Sequence, residues 1–337
     1  MALWTMAQRA FRAIDRAGFR VLDVGSRGGL HPMFDEVAPL VEAVGFEPDI
    51  EECARLNQQD QSNVLYRSLA FLPFGLGRHE GSQTLNLCRL GGVSSMYRPN
   101  RSFLDRFPGA NRFDVVDSLQ MPVRALDNLL NDPHVRLPAS IDFMKIDTQG
   151  SELEVLQGAK ETLRNQVVAV EVEVEFARLY DSQPLFRDVD SFLSGCGFTL
   201  FKIRRAEWVR RNYERRPYLS AGQLVFGDAL YIKDPLDPLT AWFPTDARQA
   251  EALILISILY DLHDFALEIS SAPRIAAMVD TDSIRQYVLE RSACLSRPWG
   301  HIRSMREFMR WCKEAVSFVR RYRPHWSRGD GNFYSRY

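Results

Sequence analysis

The sequence has few of the features that mark secreted, metal-stapled or membrane-spanning chains. Its 337 residues include five cysteines, scattered and never in C-x-x-C spacing, which argues against a disulfide framework and a zinc site. The longest apolar run, residues 252–260, is far shorter than the roughly 20 residues that cross a bilayer. The N-terminus has no apolar core of the signal-peptide type, and a formal net charge of -1 gives no overall attraction to nucleic acid or anionic lipid. We therefore expect a soluble, cytoplasmic protein.

Short apolar stretches alternate with amphipathic ones from about residue 18 to residue 235. This alternation is typical of an α/β protein in which helices flank an open, mostly parallel sheet. The last two strands are suited to pair antiparallel, with a strongly basic loop between them. The predicted strands are 20–24, 41–48, 63–71, 140–147, 167–176, 198–203 and 222–232.

The chain changes character after the proline-marked stretch 233–238, because only helical periodicity follows it. Thr245 or Asp246 is suited to be the N-cap of the first of these helices. The predicted C-terminal helices are 247–269, 283–295 and 304–322. We divide the chain into an N-terminal helix (1–17), an α/β domain (18–235), a helical region (236–323) and a flexible tail (324–337).

The stretch VLDVGSRGG is typical of a buried strand that runs into a tight turn. After Asp23 it places Gly25, Ser26, Gly28 and Gly29, and glycines let backbone amides approach a ligand with no Cβ in the way. The spacing differs from the G-x-G-x-x-G of dinucleotide-binding proteins. An ordinary tight turn is the alternative.

The second strand ends in GFEP, which places Glu47 at its tip. In a doubly wound sheet this tip lies beside the first turn, where a carboxylate can accept both hydroxyls of a ribose. The alternative makes Glu47 a favourable charge at the start of the next helix. Asp23, the glycines and Glu47 together predict an adenosine pocket.

Five stretches of the chain resemble the FkbM family of S-adenosylmethionine-dependent methyltransferases: VLDVGSRGG, GFEPD, FGLGRHEGSQTL, SSMYRPN and IDFMKIDTQGSELEVLQGA. The last is similar to that family's K-I-D-x-E-G-x-E-x-x-V-L-x-G signature. The resemblance runs from about residue 19 to residue 235 and leaves the helical C-terminus uncovered. It implies a class I (Rossmann-like) methyltransferase sheet, mostly parallel with an antiparallel last strand, an all-helical C-terminal extension, and S-adenosylmethionine as cofactor.

The resemblance also implies which residues contact the cofactor. Asp23, Gly25 and Gly28 would line its methionine and ribose part, Glu47 would hold the ribose hydroxyls, and Ser68 and Leu69 would face the adenine. The full set implied is Asp23, Gly25, Ser26, Gly28, Glu47, Pro48, Ser68 and Leu69. One position departs from the signature, because Gln149 stands where many members have Glu. An amide keeps the size but loses the charge, so we expect Gln149 to shape the turn or the pocket rather than to transfer a proton.

Lys145 and Asp147 are the predicted catalytic residues. They are two apart on the fourth strand, so they share a face about 7 Å apart. Methyl transfer to a hydroxyl requires an aligned oxygen and an acceptor for its proton, and Asp147 is suited to be base, orienter or metal ligand. The alternative is a buried ion pair in which Asp147 caps the helix that starts near Ser151. His31 and His79 are alternative bases.

The fifth strand carries Glu171, Glu173 and Glu175 on one face. Three carboxylates in a row are costly inside a covered sheet unless they meet cations, a metal or solvent. Asp147 and Glu173 are a candidate pair for Mg²⁺, and a solvated strand end is the alternative. We assign no metal ligand, because no histidine or further acid cluster accompanies the pair.

Two segments are candidates for binding the methyl acceptor. The stretch GGVSSMYRPN suits a mobile loop over cofactor and acceptor, and an ordinary surface turn is the alternative. The loop 202–216 carries seven cations with Trp208 and Tyr213 between them. This pattern suits an anionic, ring-bearing acceptor such as a phosphorylated or nucleotide-linked sugar, single-stranded nucleic acid, or merely a solvated hairpin. The predicted substrate residues are Ser95, Tyr97, Gln149, Glu173 and Arg210.

The C-terminal helices are candidates for contacts with a partner. From residue 296 onwards ten Arg and Lys face three acids, which suits a phosphate-bearing carrier, a polyanionic polymer or a partner subunit. The run ALILISIL is suited to pack on the sheet domain or across a homodimer.

The function that we expect is O-methylation of a hydroxyl on a sugar, a glycan, or a glycosylated or polyketide metabolite. A nucleic-acid methyltransferase is one alternative, although the chain lacks an Asp/Asn-Pro-Pro-aromatic motif and a Pro-Cys nucleophile. A catalytically silent scaffold that binds the cofactor is the other.

Overall fold

The computed structural model describes residues 3–60, 65–213, 222–240, 242–296 and 327–330. Within these ranges the chain forms a large mixed sheet with helices on both faces and a small second sheet. The strands are β1 (Phe19–Val24), β2 (Val41–Phe46), β3 (Ser68–Leu72), β4 (Gly75–Leu76), β5 (Gly81–Cys88), β6 (Val115–Arg124), β7 (Phe143–Ile146), β8 (Ala169–Glu175), β9 (Thr199–Trp208), β10 (Gln223–Ile232) and β11 (Ser327–Gly329). The helices are α1 (Leu3–Ala10), α2 (Arg12–Ala17), α3 (Ile50–Asp60), α4 (Arg101–Leu104), α5 (Leu126–Leu129), α6 (Glu152–Gly158), α7 (Lys160–Asn165), α8 (Phe186–Gly195), α9 (Ala247–Leu259), α10 (His263–Ser271), α11 (Pro273–Ala276) and α12 (Thr281–Ser296). Short 3-10 segments cover Pro32–Leu40, Gly91–Val93, Ala110–Phe113 and Arg211–Tyr213.

The large sheet has the strand order β11-β9-β10-β8-β7-β1-β2-β3. The strands β3, β2, β1, β7 and β8 are parallel, whereas β10 is antiparallel to both β8 and β9. This confirms the predicted class I arrangement, a mostly parallel sheet with an antiparallel last strand. The carboxyl ends of the five parallel strands meet at one edge, which is where ligands of open α/β sheets gather.

The third strand begins later than the sequence predicts. Strand β3 starts at Ser68, and near its end the Asn57 side chain accepts from the Phe71 N–H and donates to the Phe71 carbonyl, both at 2.9 Å. Ser68 pairs with Glu42 at the start of the neighbouring strand. Ser68 and Leu69 therefore lie at the amino end of β3, away from the strand tips, and their contact with the adenine stays a prediction. Residues 63 and 64 of the predicted strand lie outside the described ranges.

The helices after β10 cover one face of the sheet. Helix α9 is buried from Gln249 onwards, and its apolar side chains share a core with Phe19 and Phe143 of the sheet. Glu251 of this helix accepts hydrogen bonds of 2.8 and 2.9 Å from two backbone N–H groups at the start of α2. The long apolar run of the sequence is thus part of the core of this chain.

Two of the predicted long helices are broken in the structure. The predicted helix 247–269 divides into α9 and α10 at Asp261, whose φ of +58° ends the first helix. The predicted N-terminal helix divides into α1 and α2 at Phe11. The predicted helix 304–322 lies outside the described ranges, and of the predicted tail residues 327–329 form β11 on the edge of the large sheet. No helix in the described parts of the chain meets the length and hydropathy needed to span a membrane.

The small sheet has the order β4-β6-β5 and lies against the helices of the other face. Gly158, the glycine that ends the signature stretch, lies close to the backbone there. A Cβ on Gly158 would come within 2.0 Å of the Gly77 carbonyl oxygen, which neighbours β4. A glycine is therefore needed at this position so that α6 can approach the small sheet.

We expect Gly158→Ala to lower the free energy of unfolding by about 1–3 kcal/mol, because the added methyl group forces the backbone apart. Gly195→Ala is the matched control, since Gly195 is also the last residue of a helix and a Cβ there would meet nothing within 4 Å. Urea denaturation of both variants tests this, and equal unfolding free energies would show that the contact with Gly77 is not limiting.

Candidate active site

The glycine turn after β1 lets three strand tips meet. Gly25 has φ of +86°, and a Cβ on it would lie 1.9 Å from the carbonyl oxygen of Asp147. The N–H groups of Gly25 and Ser26 donate to the Phe46 carbonyl at 3.1 and 3.2 Å, and the Asp147 N–H donates to the Val24 carbonyl at 2.9 Å. These bonds continue past the strand ladders, so the turn is fixed against its neighbours on both sides.

A cavity of about 180 Å³ lies over these tips. Its floor includes Gly25, Glu47 and Asp147 from the large sheet, and Leu85 and Met121 of the small sheet form a second wall. A loop over residues 91–96, which we call the roof loop, closes it from above through its two glycines, a serine and a methionine. The predicted site residues that line this cavity are Gly25, Glu47, Pro48, Asp147 and Gln149.

Glu47 lines the cavity and also bonds the turn ahead of α3, and its contact with the ribose stays a prediction. Its side chain is buried at the cavity, where burial raises its pKa, and its Oε1 accepts the Asp49 N–H at 2.9 Å ahead of α3. Beside it the Arg27 guanidinium lies 3.3 Å from Asp49 and directly under Gly91 of the roof loop, where a Cβ would be 2.9 Å from Arg27 Cζ. Sequence reasoning missed Arg27, although it stands inside the glycine turn.

Three predicted cofactor residues lie near the turn but not on the cavity wall. The Ser26 side chain is buried against Gly45, and Gly28 donates its N–H to Glu52 at 3.2 Å. Asp23 is buried and paired in register with Lys145 on the opposite face of β1 from the cavity-lining Val24. It is not among the residues that line the cavity, and its contact with the methionine and ribose of the cofactor stays a prediction.

Asp23 instead belongs to a buried charge cluster. Burial raises its pKa to about 6, and the nearby Lys145 only partly offsets this rise. Its Oδ1 has no hydrogen-bond partner among the described residues. A carboxyl group in such a place is stabilised in its protonated form, which needs no counter-charge.

Lys145 and Asp147 form the predicted ion pair, with 3.5 Å between Nζ and Oδ2. Burial lowers the Lys145 pKa, but the surrounding carboxylates of Asp147, Asp23 and Glu171 raise it by more, so the ammonium form is favoured. Asp147 does not cap the following helix as we had considered. Glu152 accepts the backbone N–H groups of Thr148 and Gly150 instead, at 2.8 Å and 3.0 Å, and leaves the Asp147 carboxylate at the cavity.

Gln149 joins the carboxylates that were the candidate Mg²⁺ pair. It occupies the left-handed region (φ +57°), and its Nε2 donates to Asp147 at 2.9 Å and to Glu173 at 2.6 Å. Burial, followed by the charge of Asp147, raises the Glu173 pKa well above its usual range. The amide N–H groups occupy the place between the carboxylates that a cation would take, so the pair does not present a metal site in this arrangement.

Glu173 also belongs to a group of three buried glutamates. Glu152, Glu173 and Glu175 are all buried, and one carboxylate oxygen from each lies within 4.8 Å of the others. Burial raises the pKa of each, to about 7 for Glu152. Glu152 is already held by backbone donors, and we assign no metal to this group.

Two of the predicted acceptor residues, Ser95 and Arg210, lie in different parts of the structure. Ser95 is buried, and its hydroxyl donates to the Gln149 carbonyl at 2.6 Å while accepting the Tyr97 N–H at 3.0 Å. Arg210 lies outside the cavity, where its guanidinium stacks on the Phe107 ring at 4.3 Å. The basic loop beyond residue 213 lies outside the described ranges.

The alternative histidine bases are not at the cavity wall. His31 accepts the Met33 N–H through Nδ1 at 3.2 Å, and burial together with Lys145 lowers its pKa to about 4, which favours the neutral ring. His79 is exposed in the turn before β5.

A doubly wound sheet with an antiparallel last strand, a glycine turn after β1 and an acid at the tip of β2 defines a class I methyltransferase fold. The sequence model of the family described as "Methyltransferase FkbM domain" matches residues 23–200, more than half of the chain. The chain therefore belongs to the FkbM methyltransferase family, a family of S-adenosylmethionine-dependent enzymes, and the resemblance drawn from the sequence is confirmed.

Solved structures match parts of the chain at low identity and low TM-score. An FkbM methyltransferase from Methylobacillus flagellatus is 14% identical with a TM-score of 0.35, and the match covers 67% of this chain and 47% of that one. The S-adenosylmethionine-bound magnesium protoporphyrin IX methyltransferase from Synechocystis is 10% identical with a TM-score of 0.32, covering 68% of this chain and 81% of that one. No curated protein matches the sequence.

We expect Gln149→Glu to destabilise the protein more at about pH 8 than at about pH 5. At the higher pH the new carboxylate repels Asp147 and Glu173, whereas at the lower pH its protonated form still donates one hydrogen bond. Since burial raises the folded-state pKa of such a group above its unfolded value, its contribution to stability falls as the pH rises. The expected loss at about pH 8 is roughly 1–3 kcal/mol. Urea denaturation at both pH values measures it, and Gln83→Glu at an exposed position of β5 is the matched control.

Proposed function

We propose that the protein transfers the methyl group of S-adenosylmethionine to a hydroxyl of a sugar, a glycan, or a glycosylated or polyketide metabolite. The observation that carries the proposal is that Glu47 and Asp147, at the tips of β2 and β7, line one cavity beside the Gly25 turn. An acid at the β2 tip suits ribose hydroxyls. A partly exposed carboxylate at the β7 tip suits the acceptor side of the same cavity.

The residues at this edge fit the cofactor. Gly25 has no side chain that would fill the floor, and one oxygen of Glu47 is held by the Asp49 N–H while its carboxylate lines the cavity. The volume of about 180 Å³ is small beside the roughly 300–1,000 Å³ of pockets for drug-sized ligands. We therefore expect the roof loop to move outwards when the cofactor enters.

Asp147 is the proposed proton acceptor. Its side chain is 33% exposed, and Lys145 and Gln149 both hold it through charge and hydrogen bonding. Bound S-adenosylmethionine supplies an electrophilic methyl group on sulfur. Asp147 would accept the proton that the acceptor hydroxyl loses on methylation, and Lys145 would hold the Asp147 carboxylate in place beforehand.

The acceptor is proposed to be polar and to carry negative charge. The Arg210 guanidinium is flanked by Arg106, and burial followed by this like charge lowers the Arg210 pKa. Two arginines held near each other over aromatic rings are suited to a phosphate or carboxylate group. Arg210 is not among the residues that line the cavity, so this contact is proposed for a part of a long acceptor that extends beyond it.

Cofactor binding is tested first. We expect Glu47→Gln to weaken the binding of S-adenosylhomocysteine about tenfold, because a charged acceptor for two hydroxyls becomes a neutral one. The variant keeps an acceptor for the Asp49 N–H, so the local fold is retained. Isothermal titration calorimetry measures the affinity, with Glu51→Gln on the exposed side of α3 as control. No binding by the wild-type protein would end the proposal.

Methyl transfer is tested with methyl-labelled S-adenosylmethionine and fractionated metabolites and glycans, followed by identification of the labelled product. We expect a base-stable methyl ether, and Asp147→Asn to lower its rate of formation about 10²–10⁴-fold with cofactor affinity little changed. Asp117→Asn on the exposed side of β6 is the control. Label that enters nuclease-sensitive material would indicate a nucleic-acid methyltransferase, and binding without any labelled product would indicate a scaffold.

A further inference from the structure

The side chain of Tyr180 connects the roof loop with the Gln149 turn. Tyr180 is fully buried after the end of β8, and its ring is held in an aromatic cluster that includes Phe113 at a centroid distance of 6.0 Å. Its hydroxyl lies 2.9 Å from the Val93 carbonyl of the roof loop and 3.2 Å from Oε1 of Gln149. A single rigid side chain therefore reaches both the roof and the floor of the cavity.

The hydrogen bonds around Gln149 constrain which way its amide faces. Its NH₂ group donates to Asp147 and Glu173, so its oxygen faces the Tyr180 hydroxyl, whose single proton is shared between this oxygen and the nearer Val93 carbonyl. If the amide turned over, its oxygen would face two carboxylates. That orientation is favourable only when one of the two is protonated and can donate.

We propose that Tyr180 is a positioning residue of this site, whose hydroxyl ties the roof loop to the Gln149 amide and fixes the amide that holds Asp147. This inference rests on the proposed function for its meaning in catalysis. The tie itself is a property of the cofactor-free protein.

A second tie supports the same junction. The Ser95 hydroxyl donates to the Gln149 main-chain carbonyl at 2.6 Å. The roof loop is therefore joined to Gln149 in two ways, through Ser95 to its main chain and through Tyr180 to its side-chain amide. Because the cavity is small with the roof in this position, the two ties must give way for a ligand to enter. Opening of the roof loop would then displace Gln149 and, through the Gln149 amide, change the position of the Asp147 carboxylate.

The effect on the amide should depend on pH. The titratable groups that face Glu173 are Asp147, Glu175, Glu152 and Asp228, with Lys145 beside Asp147 and Tyr180 beyond the amide. Burial raises the Glu173 pKa, so this side takes up a proton as the pH falls. Without the Tyr180 hydroxyl, the amide is held only through its bonds to Asp147 and Glu173, and this hold weakens as Glu173 takes up a proton at low pH.

The first experiment uses Tyr180→Phe in the full-length, cofactor-free protein and measures hydrogen exchange. We expect the backbone amides of Ser94 and Ser95 to exchange about tenfold faster, as loss of one hydrogen bond implies. Tyr231→Phe is the matched control, because the Tyr231 hydroxyl also bonds a side chain, Asp190 at 3.0 Å, away from the cavity. Equal exchange in both variants and the wild type would overturn the tie, whatever the outcome for the proposed function.

The second experiment measures S-adenosylhomocysteine affinity from about pH 5.5 to 8.5. We expect the dissociation constant of Tyr180→Phe, relative to wild type, to rise several-fold as the pH falls, and that of Tyr231→Phe to stay constant. A ratio for Tyr180→Phe that does not change with pH would overturn the positioning of the amide. If the wild type binds no S-adenosylhomocysteine, the proposed function fails. The hydrogen-exchange experiment then remains the test of whether Tyr180 joins the roof loop to Gln149.

A double-mutant cycle separates positioning from loss of packing. If Tyr180 and Ser95 act through the same junction, the effects of Tyr180→Phe and Ser95→Ala on exchange are not additive. Additive effects would show that the two hydroxyls act independently and would contradict a common tie at Gln149.

Discussion

The site depends on main-chain hydrogen bonds made just beyond the ends of the parallel strands. The turn at Gly25 bonds to β2, the start of the Asp147 turn bonds to β1, and the Glu47 N–H bonds to the Leu72 carbonyl at 3.1 Å. These bonds hold the tips of four neighbouring strands at fixed separations. They are feasible only because a residue without a Cβ stands where the β1 and β7 turns touch.

The same edge concentrates buried charge on one face of the sheet. Lys145 lies between Asp23 on β1 and Glu171 on β8 in the strand register, and Arg204 bonds Asp228 farther along the sheet. Carboxyl groups outnumber cations here, and burial raises the pKa values of several of them, a rise that Lys145 offsets only in part for Asp23 and Arg204 only in part for Asp228. Such a face is polar enough to leave one carboxylate, Asp147, open to the cavity and still held by a cation.

Sequence patterns gave the architecture because they report local constraints. Alternating apolar residues identify strands, and the placement of Glu47 after β2 followed from the rule that strand tips share an edge. The position of β3 was predicted poorly, since Asn57 on a neighbouring helix bonds the strand near its end and no local pattern reports that contact. Prediction of the surroundings of Asp23 is limited in a similar way. The two-residue period of a strand identifies its two faces, but it does not indicate which face contacts a ligand.

The contacts that sequence reasoning missed all join distant segments. Tyr180 reaches Val93 across 87 positions of sequence, and Arg27 lies under Gly91 of the roof loop. Tyr180 lies outside the motifs, and the role of Arg27 within the glycine turn depends on Gly91, which only the folded chain brings to it. The break at Asp261 was missed for a different reason, since apolar residues continue through it and conceal the end of the helix.

The span that matches the family model does not include helix α9, although α9 is part of the core that covers the large sheet. The matched span ends at residue 200, before most of β9 and all of β10, and before the helix that covers the sheet core around Phe143. A fragment cut to that span would have an unpaired edge at β8 and a bare apolar face, both of which favour aggregation. A stably folded fragment of this chain therefore requires β10 and α9 as well as the matched span.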